Sequence, residues 1–156
     1  MAKALIVYAS LTGNTEEMAG ILEEYLEELG VDTRVQECTE ALPSDFLDAD
    51  ICVVATYTYG RDAELPDEIY DFYEELPDVD LSGKVYGVLG SGDTLYDKFC
   101  QSVDDFDKQL ERTNARRGAS PVKVNDYADE EDKARIRTFA EDLVSACRQQ
   151  KGDTPA

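Results

Sequence analysis

Histidine is absent from the 156 residues of this chain, and cysteine is scarce. Without histidine, Ser-His and Cys-His catalysis and most zinc sites are excluded, and no metal site is expected. The four cysteines, Cys38, Cys52, Cys100 and Cys147, are scattered and form no C-x-x-C pair. Such thiols are typical of a reduced, cytoplasmic protein rather than of a disulfide framework.

Long hydrophobic runs are also lacking. No apolar stretch approaches the roughly 20 residues that cross a bilayer, and the chain does not start with a charged and then apolar signal segment. We therefore expect a soluble protein that is not exported and does not contact a membrane. A chain of this length is expected to form one domain, residues 1–148, followed by a polar tail, residues 149–156.

Positively charged residues are also few. The chain has 15 Lys and Arg residues against 35 Asp and Glu residues, which gives a formal net charge of −20. A surface of this sign repels nucleic acid and anionic membranes and attracts basic partners. The alternative is plain solubility or adaptation to salt, and the positions of the carboxylates decide between the two.

What the chain does contain is a regular alternation of strand-like and helix-like segments. Apolar residues at spacings of three and four predict helices, and fully apolar runs between them predict buried strands. The order predicts an α/β fold, in which a five-stranded parallel sheet is covered by helices on both faces, in three layers. The strands are expected at residues 4–8, 31–35, 51–55, 84–90 and 121–124, with a short helical turn near Ser44 and fraying after Arg148.

Three loops follow the carboxyl ends of predicted strands, at residues 10–15, 56–62 and 91–97. In parallel sheets of this type, ligands bind beyond the carboxyl ends of the strands, at the point where the strand order reverses. We therefore expect the three loops to converge on one site.

The first of these loops connects an apolar strand to the start of an amphipathic helix. A helix N-terminus offers unpaired N–H groups and a positive dipole end, which together bind anions. The loop contains hydroxyls and a glycine but no Lys or Arg, which suits a cofactor phosphate that stays bound rather than a triphosphate that is cleaved. The phosphate-binding residues are predicted to be Ser10, Leu11, Thr12, Gly13, Asn14 and Thr15.

The second loop combines an aromatic residue with glycine. Tyr59 offers a ring that can stack on a flat ligand, and Gly60 leaves the backbone beside it free to move. Thr58 precedes this pair, and Tyr57 is expected to be structural. A Tyr59 that packs on the rim of the sheet stays open as an alternative.

The third loop has the same ingredients. Ser91 and Gly92 allow a close backbone approach, Asp93 supplies an acceptor carboxylate, and Tyr96 follows three residues later. An ordinary turn, with Asp93 as the cap of the next helix, is the alternative for this segment. Together the three loops predict a ligand with a phosphate at one end and a flat ring system at the other, held between Tyr59 and Tyr96.

These motifs resemble those of flavodoxins, of the short-chain kind, over residues 2–148. The family's T/S-x-T-G-x-T phosphate motif is matched by Ser10, Thr12, Gly13 and Thr15, and its aromatic-glycine pair by Tyr59 and Gly60. Its G-D-x-x-Y motif is matched by Gly92, Asp93 and Tyr96, with Phe99 and Cys100 where the family also lines the flavin ring. The resemblance implies the strand order 2-1-3-4-5 and non-covalently bound FMN at the switch point.

By the same resemblance, Asp93 accepts a hydrogen bond from the flavin N3–H and Tyr96 stacks on the outer ring face. The chain departs from the family's usual pattern in two places. Tyr59 stands where many members have Trp, and Arg61 and Ala63 stand where a Gly-Asp-Gly or double-acidic sequence is common.

The function implied is that of a low-potential electron carrier, which shuttles FMN between its oxidised, semiquinone and hydroquinone states. We expect the Gly60 carbonyl to turn and accept a hydrogen bond from flavin N5–H in the semiquinone. Basic redox proteins are the expected partners, docking on a monomer at an acidic flavin edge formed by Asp62, Glu64, Asp67, Glu68, Asp93 and Asp97.

Three other classes of protein require motifs that this sequence does not contain. An FMN-dependent reductase needs a nicotinamide site, and the chain has no G-x-G-x-x-G loop. A receiver domain needs acidic residues that Ala9, Ser10, Ala55 and Thr56 replace, and a P-loop NTPase needs a G-K-[ST] motif, which is missing.

Overall fold

Strands and helices alternate along the chain as the sequence pattern predicts. The computed structural model describes residues 2–10, 13–58, 66–92, 100–125 and 128–150. The strands are β1 (Lys3–Tyr8), β2 (Asp32–Glu37), β3 (Ile51–Tyr57), β4 (Val85–Gly92), β5 (Arg116–Arg117) and β6 (Val122–Asn125). The α-helices are α1 (Asn14–Glu28), α2 (Asp67–Glu75), α3 (Gln101–Glu111) and α4 (Glu130–Gln150). Short 3-10 helices span Cys38–Glu40, Pro43–Asp48 and Leu76–Asp78, and the second of these is the turn expected near Ser44.

All strand pairs in the described residues are parallel, in the order β2-β1-β3-β4-β5, with β6 also paired to β4. The predicted order is confirmed, but the fifth strand is split. Its first piece, β5, pairs with the start of β4, and its second piece, β6, pairs with the end of β4. The single strand predicted at residues 121–124 is therefore only the second half. Pro121, which has no N–H to donate to a ladder, lies where the strand is interrupted.

Two hydrophobic cores, one on each face of the sheet, confirm the three-layer arrangement. Helices α1 and α4 cover one face, where their apolar stripes pack on Ile6 and Val53. Helices α2 and α3 cover the other face, over Val7 and Val54. Alternate residues of β1 and β3 enter opposite cores because successive side chains of a strand point to opposite faces.

The ends of α1 and α4 differ in how well the sequence predicts them. After α1, Gly30 has a φ of 84°, its N–H donates to the Glu27 carbonyl, and the Val31 N–H donates to the Leu26 carbonyl. This is a Schellman cap, so the predicted stop at Gly30 is confirmed. Helix α4 continues to Gln150, two residues beyond the point at which fraying was expected. None of the helices in the described ranges has the length and apolarity that crossing a bilayer requires.

Candidate functional site

The three predicted loops start side by side at one edge of the sheet, because β1, β3 and β4 are neighbours in a parallel sheet. Hydrogen bonds join them directly. The hydroxyls of Thr15 and Ser91 are 2.9 Å apart, which links the start of α1 to the end of β4. The Thr58 N–H donates to the Ser91 carbonyl at 3.1 Å, which links the end of β3 to the same residue. The described parts of the three loops are therefore in contact with one another, as the expected convergence requires.

A hydrogen bond joins the two described residues that flank the middle of the first loop. The Ser10 hydroxyl accepts a hydrogen bond of 3.0 Å from the Gly13 N–H. Gly13 is the N-cap of α1 and has a φ of 92°, a left-handed conformation that glycine adopts without the steric cost of a side chain. A Cβ atom built on Gly13 would meet nothing within 4 Å, so the space beside this residue is open.

The first turn of α1 offers N–H groups with no partner inside the helix. The earliest intrahelical bond runs from the Glu17 N–H to the Gly13 carbonyl at 2.9 Å, so the N–H groups of Asn14, Thr15 and Glu16 precede it. The Tyr8 hydroxyl donates a hydrogen bond of 3.2 Å to the Glu16 carboxylate. Burial, followed by the charge of Glu16, raises the pKa of Tyr8 above its usual value, so Tyr8 keeps its proton.

At the second loop, β3 runs two residues further than predicted, to Tyr57. Tyr57 is buried, and its hydroxyl donates a hydrogen bond of 2.8 Å to Glu68 in the first turn of α2. The expectation that Tyr57 is structural is confirmed. Burial, followed by the hydrogen bond to Glu68, raises the pKa of Tyr57 above its usual value. This contact ties together the two ends of the segment that carries Tyr59 and Gly60.

The end of β4 is packed too tightly for side chains at two of its residues. A Cβ atom on Gly90 would lie 2.2 Å from the Thr56 carbonyl oxygen, and one on Gly92 would lie 2.9 Å from the Cys100 Sγ. Glycine is therefore required at both positions. Between them, Ser91 is 5% exposed and brings the only hydroxyl of this strand end into the site.

Cys100 lies at the start of α3 with its thiol turned into the core. Its Sγ is 3.9 Å from the Gly90 carbonyl oxygen and 3.8 Å from the Val124 carbonyl oxygen, and burial raises its pKa to about 12. Its φ of 53° is left-handed, which turns the chain sharply into the helix. Because the thiol is buried, it is the main chain of Cys100 that can contact the predicted flat ring.

Several predicted site residues fall outside the described part of the chain: Leu11, Thr12, Tyr59, Gly60, Asp93, Tyr96 and Phe99. Of the predicted residues that are described, Ser10, Gly13, Asn14, Thr15, Thr58, Ser91, Gly92 and Cys100 all lie at this edge of the sheet. The sequence analysis missed Ser102, whose N–H donates to the Thr58 hydroxyl at 3.0 Å. A hydroxyl residue in the first turn of a helix is too common a feature to have indicated this contact.

The described residues fit the phosphate end of FMN. They provide a helix N-terminus whose first N–H groups have no partner within the helix, the hydroxyls of Ser10 and Thr15, and open space beside Gly13. In the described ranges, no group of three or more His, Cys, Asp or Glu side chains is arranged to hold a metal ion.

Comparison with known proteins extends this result to the whole domain. The flavodoxin family model matches residues 6–139. The chain is 57% identical to a flavodoxin of Streptococcus pneumoniae TIGR4, with a TM-score of 0.90 over 93% of this chain and 99% of that chain. It is 43% identical to a short-chain flavodoxin associated with a bacterial microcompartment, with a TM-score of 0.92 over 94% of this chain and 99% of that one.

A curated relative agrees. The chain is 36% identical over 143 residues to the probable flavodoxin 2 of Bacillus subtilis strain 168, covering 89% of this chain and 92% of that protein. Because these matches span nearly the full length of proteins named as flavodoxins, the alternative of an FMN-dependent reductase is not favoured. The chain belongs to the flavodoxin family, which consists of FMN-binding electron carriers rather than enzymes.

Proposed function

We propose that this chain holds FMN at the carboxyl edge of its sheet and carries single electrons between a donor and a basic acceptor. The observation that carries the proposal is the contact of the three loops through Ser91, which joins the start of α1 to the end of β3. The first loop binds the phosphate, and the other two bind the ring. The ring-binding residues proposed are Thr58, Tyr59, Gly60, Ser91, Gly92, Asp93, Tyr96, Phe99 and Cys100, and Ser91 contributes to this set through its main chain.

The described residues at the start of α1 and at the end of β4 have distinct tasks in this proposal. The N–H groups at the start of α1 bind the phosphate oxygens, and the Ser10 hydroxyl keeps Gly13 in the conformation that points those groups outward. The close packing of Gly90 and Gly92 fixes the backbone on which the third loop begins. FMN, when bound, supplies the one-electron chemistry, and the protein supplies position and electrostatic environment.

An absorption spectrum of the purified protein tests the cofactor. We expect bands of oxidised flavin, and full recovery of these bands when FMN is added to protein from which it has been stripped. Riboflavin, which lacks the phosphate, is expected to bind more weakly. Colourless protein that does not take up added FMN would contradict the proposal.

Acidic residues in the first turns of the helices support docking at this edge. All four helices begin here, and their first turns carry Glu16, Glu17, Asp67, Glu68, Asp104, Glu130, Glu131 and Asp132. Cations neutralise part of this set: Asp104, Glu130 and Asp132 form ion pairs with Lys123, Lys133 and Arg135. Among the described residues, no ion pair involves the four carboxylates in the first turns of α1 and α2. We therefore propose that a basic acceptor approaches from the side of α1 and α2.

Two double variants with the same net charge test this direction of approach. Glu17→Gln with Asp67→Asn removes two exposed charges at the edge, and Glu27→Gln with Glu28→Gln removes two exposed charges at the far end of α1. Electron transfer to a basic cytochrome c, measured at rising ionic strength with FMN saturating, is expected to slow and to lose salt dependence only in the first variant. Equal slowing in both would show that net charge, and not its position, attracts the acceptor.

We further propose that the protein is monomeric and works in the cytoplasm. The outer edge of β6 is blocked by Arg135, whose Nη2 donates to the Lys123 carbonyl at 2.7 Å, and the edge strand β2 carries exposed Asp32 and Arg34, which discourage pairing. All four cysteines are buried and free, as in a reducing compartment. Light scattering of the FMN-loaded protein is expected to give the mass of one chain, and a dimer mass would contradict the first of these proposals.

A further inference from the structure

By sequence, Ser91 belongs to the third loop, which is predicted to bind the flavin ring. Its side chain, however, faces the first loop, which is predicted to bind the phosphate. Its hydroxyl lies 2.9 Å from the Thr15 hydroxyl, 76 residues away along the chain. Both side chains are nearly fully buried, with 1% of Thr15 and 5% of Ser91 exposed. The hydroxyl of Ser91 is therefore directed at the first turn of α1 and not at a ring in front of its own loop.

Ser91 has little freedom to move away from Thr15. Its carbonyl accepts the Thr58 N–H at 3.1 Å, and Thr58 is itself held by the Ser102 N–H at 3.0 Å. The glycines on either side, Gly90 and Gly92, are in such close contact with β3 and with Cys100 that the backbone cannot shift towards them. The hydroxyl is thus placed by the strand end on which it lies.

The contact between the two hydroxyls leaves one hydrogen unused. Either oxygen can be the donor, and each hydroxyl has one hydrogen to give. If Ser91 donates, the Thr15 hydrogen is free for an acceptor at the start of α1; if Thr15 donates, it is not. An anion at this helix N-terminus favours the first arrangement, because a hydrogen bond to a charged acceptor is stronger than one between neutral hydroxyls.

We propose that Ser91 is a positioning residue for the phosphate: it donates to Thr15 and so directs the Thr15 hydroxyl hydrogen at the FMN phosphate. This inference rests on the proposed function, since it assumes that FMN is the ligand. In such a chain each hydrogen bond polarises the next, so that loss of the outer donor weakens the inner contact. Ser91 thereby contributes to discrimination between FMN and riboflavin, although it lies in a loop assigned to the ring.

Dissociation constants for FMN and for riboflavin, measured in the same variants, test the assignment. Loss of one net hydrogen bond of about 1 kcal/mol corresponds to about a fivefold change in affinity. We expect Ser91→Ala to raise the FMN Kd about fivefold with the riboflavin Kd unchanged. Thr15→Val is expected to raise it at least as much, the double variant no more than Thr15→Val alone, and Thr15→Ser to retain wild-type affinity. If the alanine variant does not fold, Ser91→Cys replaces it in the test. Its side chain is similar in volume to serine, and its thiol is a weak hydrogen-bond donor.

A matched control isolates the loss of a buried hydroxyl. Thr113→Val removes a hydroxyl that is 1% exposed and donates to the Leu110 carbonyl beyond the far end of α3. It is expected to change neither Kd. The proposal is overturned if Ser91→Ala weakens FMN and riboflavin equally, if it weakens neither, or if its effect adds to that of Thr15→Val. Failure of the wild-type protein to bind FMN would instead overturn the proposed function.

Discussion

The Tyr57 hydroxyl and the Glu68 carboxylate are joined by a hydrogen bond of 2.8 Å that links the end of β3 to the first turn of α2. Residues 59–65, which include the predicted ring-binding pair, lie between these two residues in the chain. The main-chain carbonyl of Glu68 also accepts a hydrogen bond of 3.4 Å from the Cys38 thiol. The first turn of α2 is therefore bonded to both Tyr57 and Cys38.

Removal of the Tyr57 hydroxyl is expected to have a modest effect on stability. In Tyr57→Phe the ring stays in the core, and the exposed Glu68 carboxylate is solvated by water, so we expect a loss of about 1 kcal/mol in the free energy of unfolding. Urea unfolding of the FMN-loaded protein measures it. Tyr70→Phe on the exposed side of α2 serves as the control and is expected to cost less, and an equal loss in the two variants would show that the Tyr57 contact contributes nothing of its own.

Two glycines with the same backbone conformation at opposite ends of α1 separate binding from stability. Gly13 and Gly30 have φ values of 92° and 84°, and neither has an atom within 4 Å of an added Cβ. An alanine at either position is expected to lower the free energy of unfolding by about 1 kcal/mol, because the left-handed conformation disfavours a Cβ. Only Gly13→Ala is expected to raise the FMN Kd as well, which fluorescence titration measures. A similar Kd in both variants would show that the start of α1 does not take part in FMN binding.

A second pair of glycines differs in the space around it. Gly90→Ala places a Cβ atom 2.2 Å from the Thr56 carbonyl oxygen, which forces β3 and β4 apart and is expected to cost about 3 kcal/mol. Gly20→Ala, in the interior of α1 with nothing within 4 Å, is expected to stabilise the protein by about 0.5–1 kcal/mol through its higher helix propensity. Thermal unfolding of both variants provides the measurement. A Gly90→Ala protein as stable as the wild type would mean that the two strands are not packed this closely.

The buried thiol of Cys52 makes stability fall at alkaline pH. Burial raises its pKa from 9.0 to about 12, so above pH 9 the unfolded chain releases this proton while the folded protein keeps it. The unfolded state then binds fewer protons, and the free energy of unfolding falls by up to about 1.4 kcal/mol per pH unit until the folded pKa is reached.

Cys52→Ala isolates this contribution. The variant is expected to be somewhat less stable than the wild type at pH 8, because the smaller side chain leaves a cavity, but to lose stability less steeply between pH 9 and 11. Urea unfolding across this range, at one FMN concentration for both proteins, measures the two slopes. Parallel slopes would show that the thiol ionises equally easily in the folded and unfolded states.

Much of the fold could be predicted from the sequence because its signals are local or periodic. The apolar runs that became β1 and β3, the stripe of α1 and the stop at Gly30 each depend on residues close together in the chain. The side-by-side start of the three loops was also predictable, since a parallel sheet places the loops after its strands at one edge. The predicted strand order followed from the family resemblance.

The rest depends on contacts between distant residues. Nothing in the sequence near Ser91 indicates that its hydroxyl meets Thr15, because small polar residues have no periodicity and the partner lies on another element. The same holds for the Ser102 N–H and the Thr58 hydroxyl. The split of the fifth strand was missed because β5 is a pair of exposed arginines that lacks the apolar run by which buried strands are identified.

That split strand has a consequence for how this protein can change. After Gly118, whose N–H still donates to the Tyr86 carbonyl, the chain departs from β4 and rejoins it at Val122, so the break is closed on both sides by existing contacts. Extra residues inserted there would lengthen an excursion that already exists, at an entropic cost that grows only slowly with length. The fold thus offers an insertion point around the exposed Ser120, where new sequence can be acquired while both pieces of the strand keep their ladder contacts.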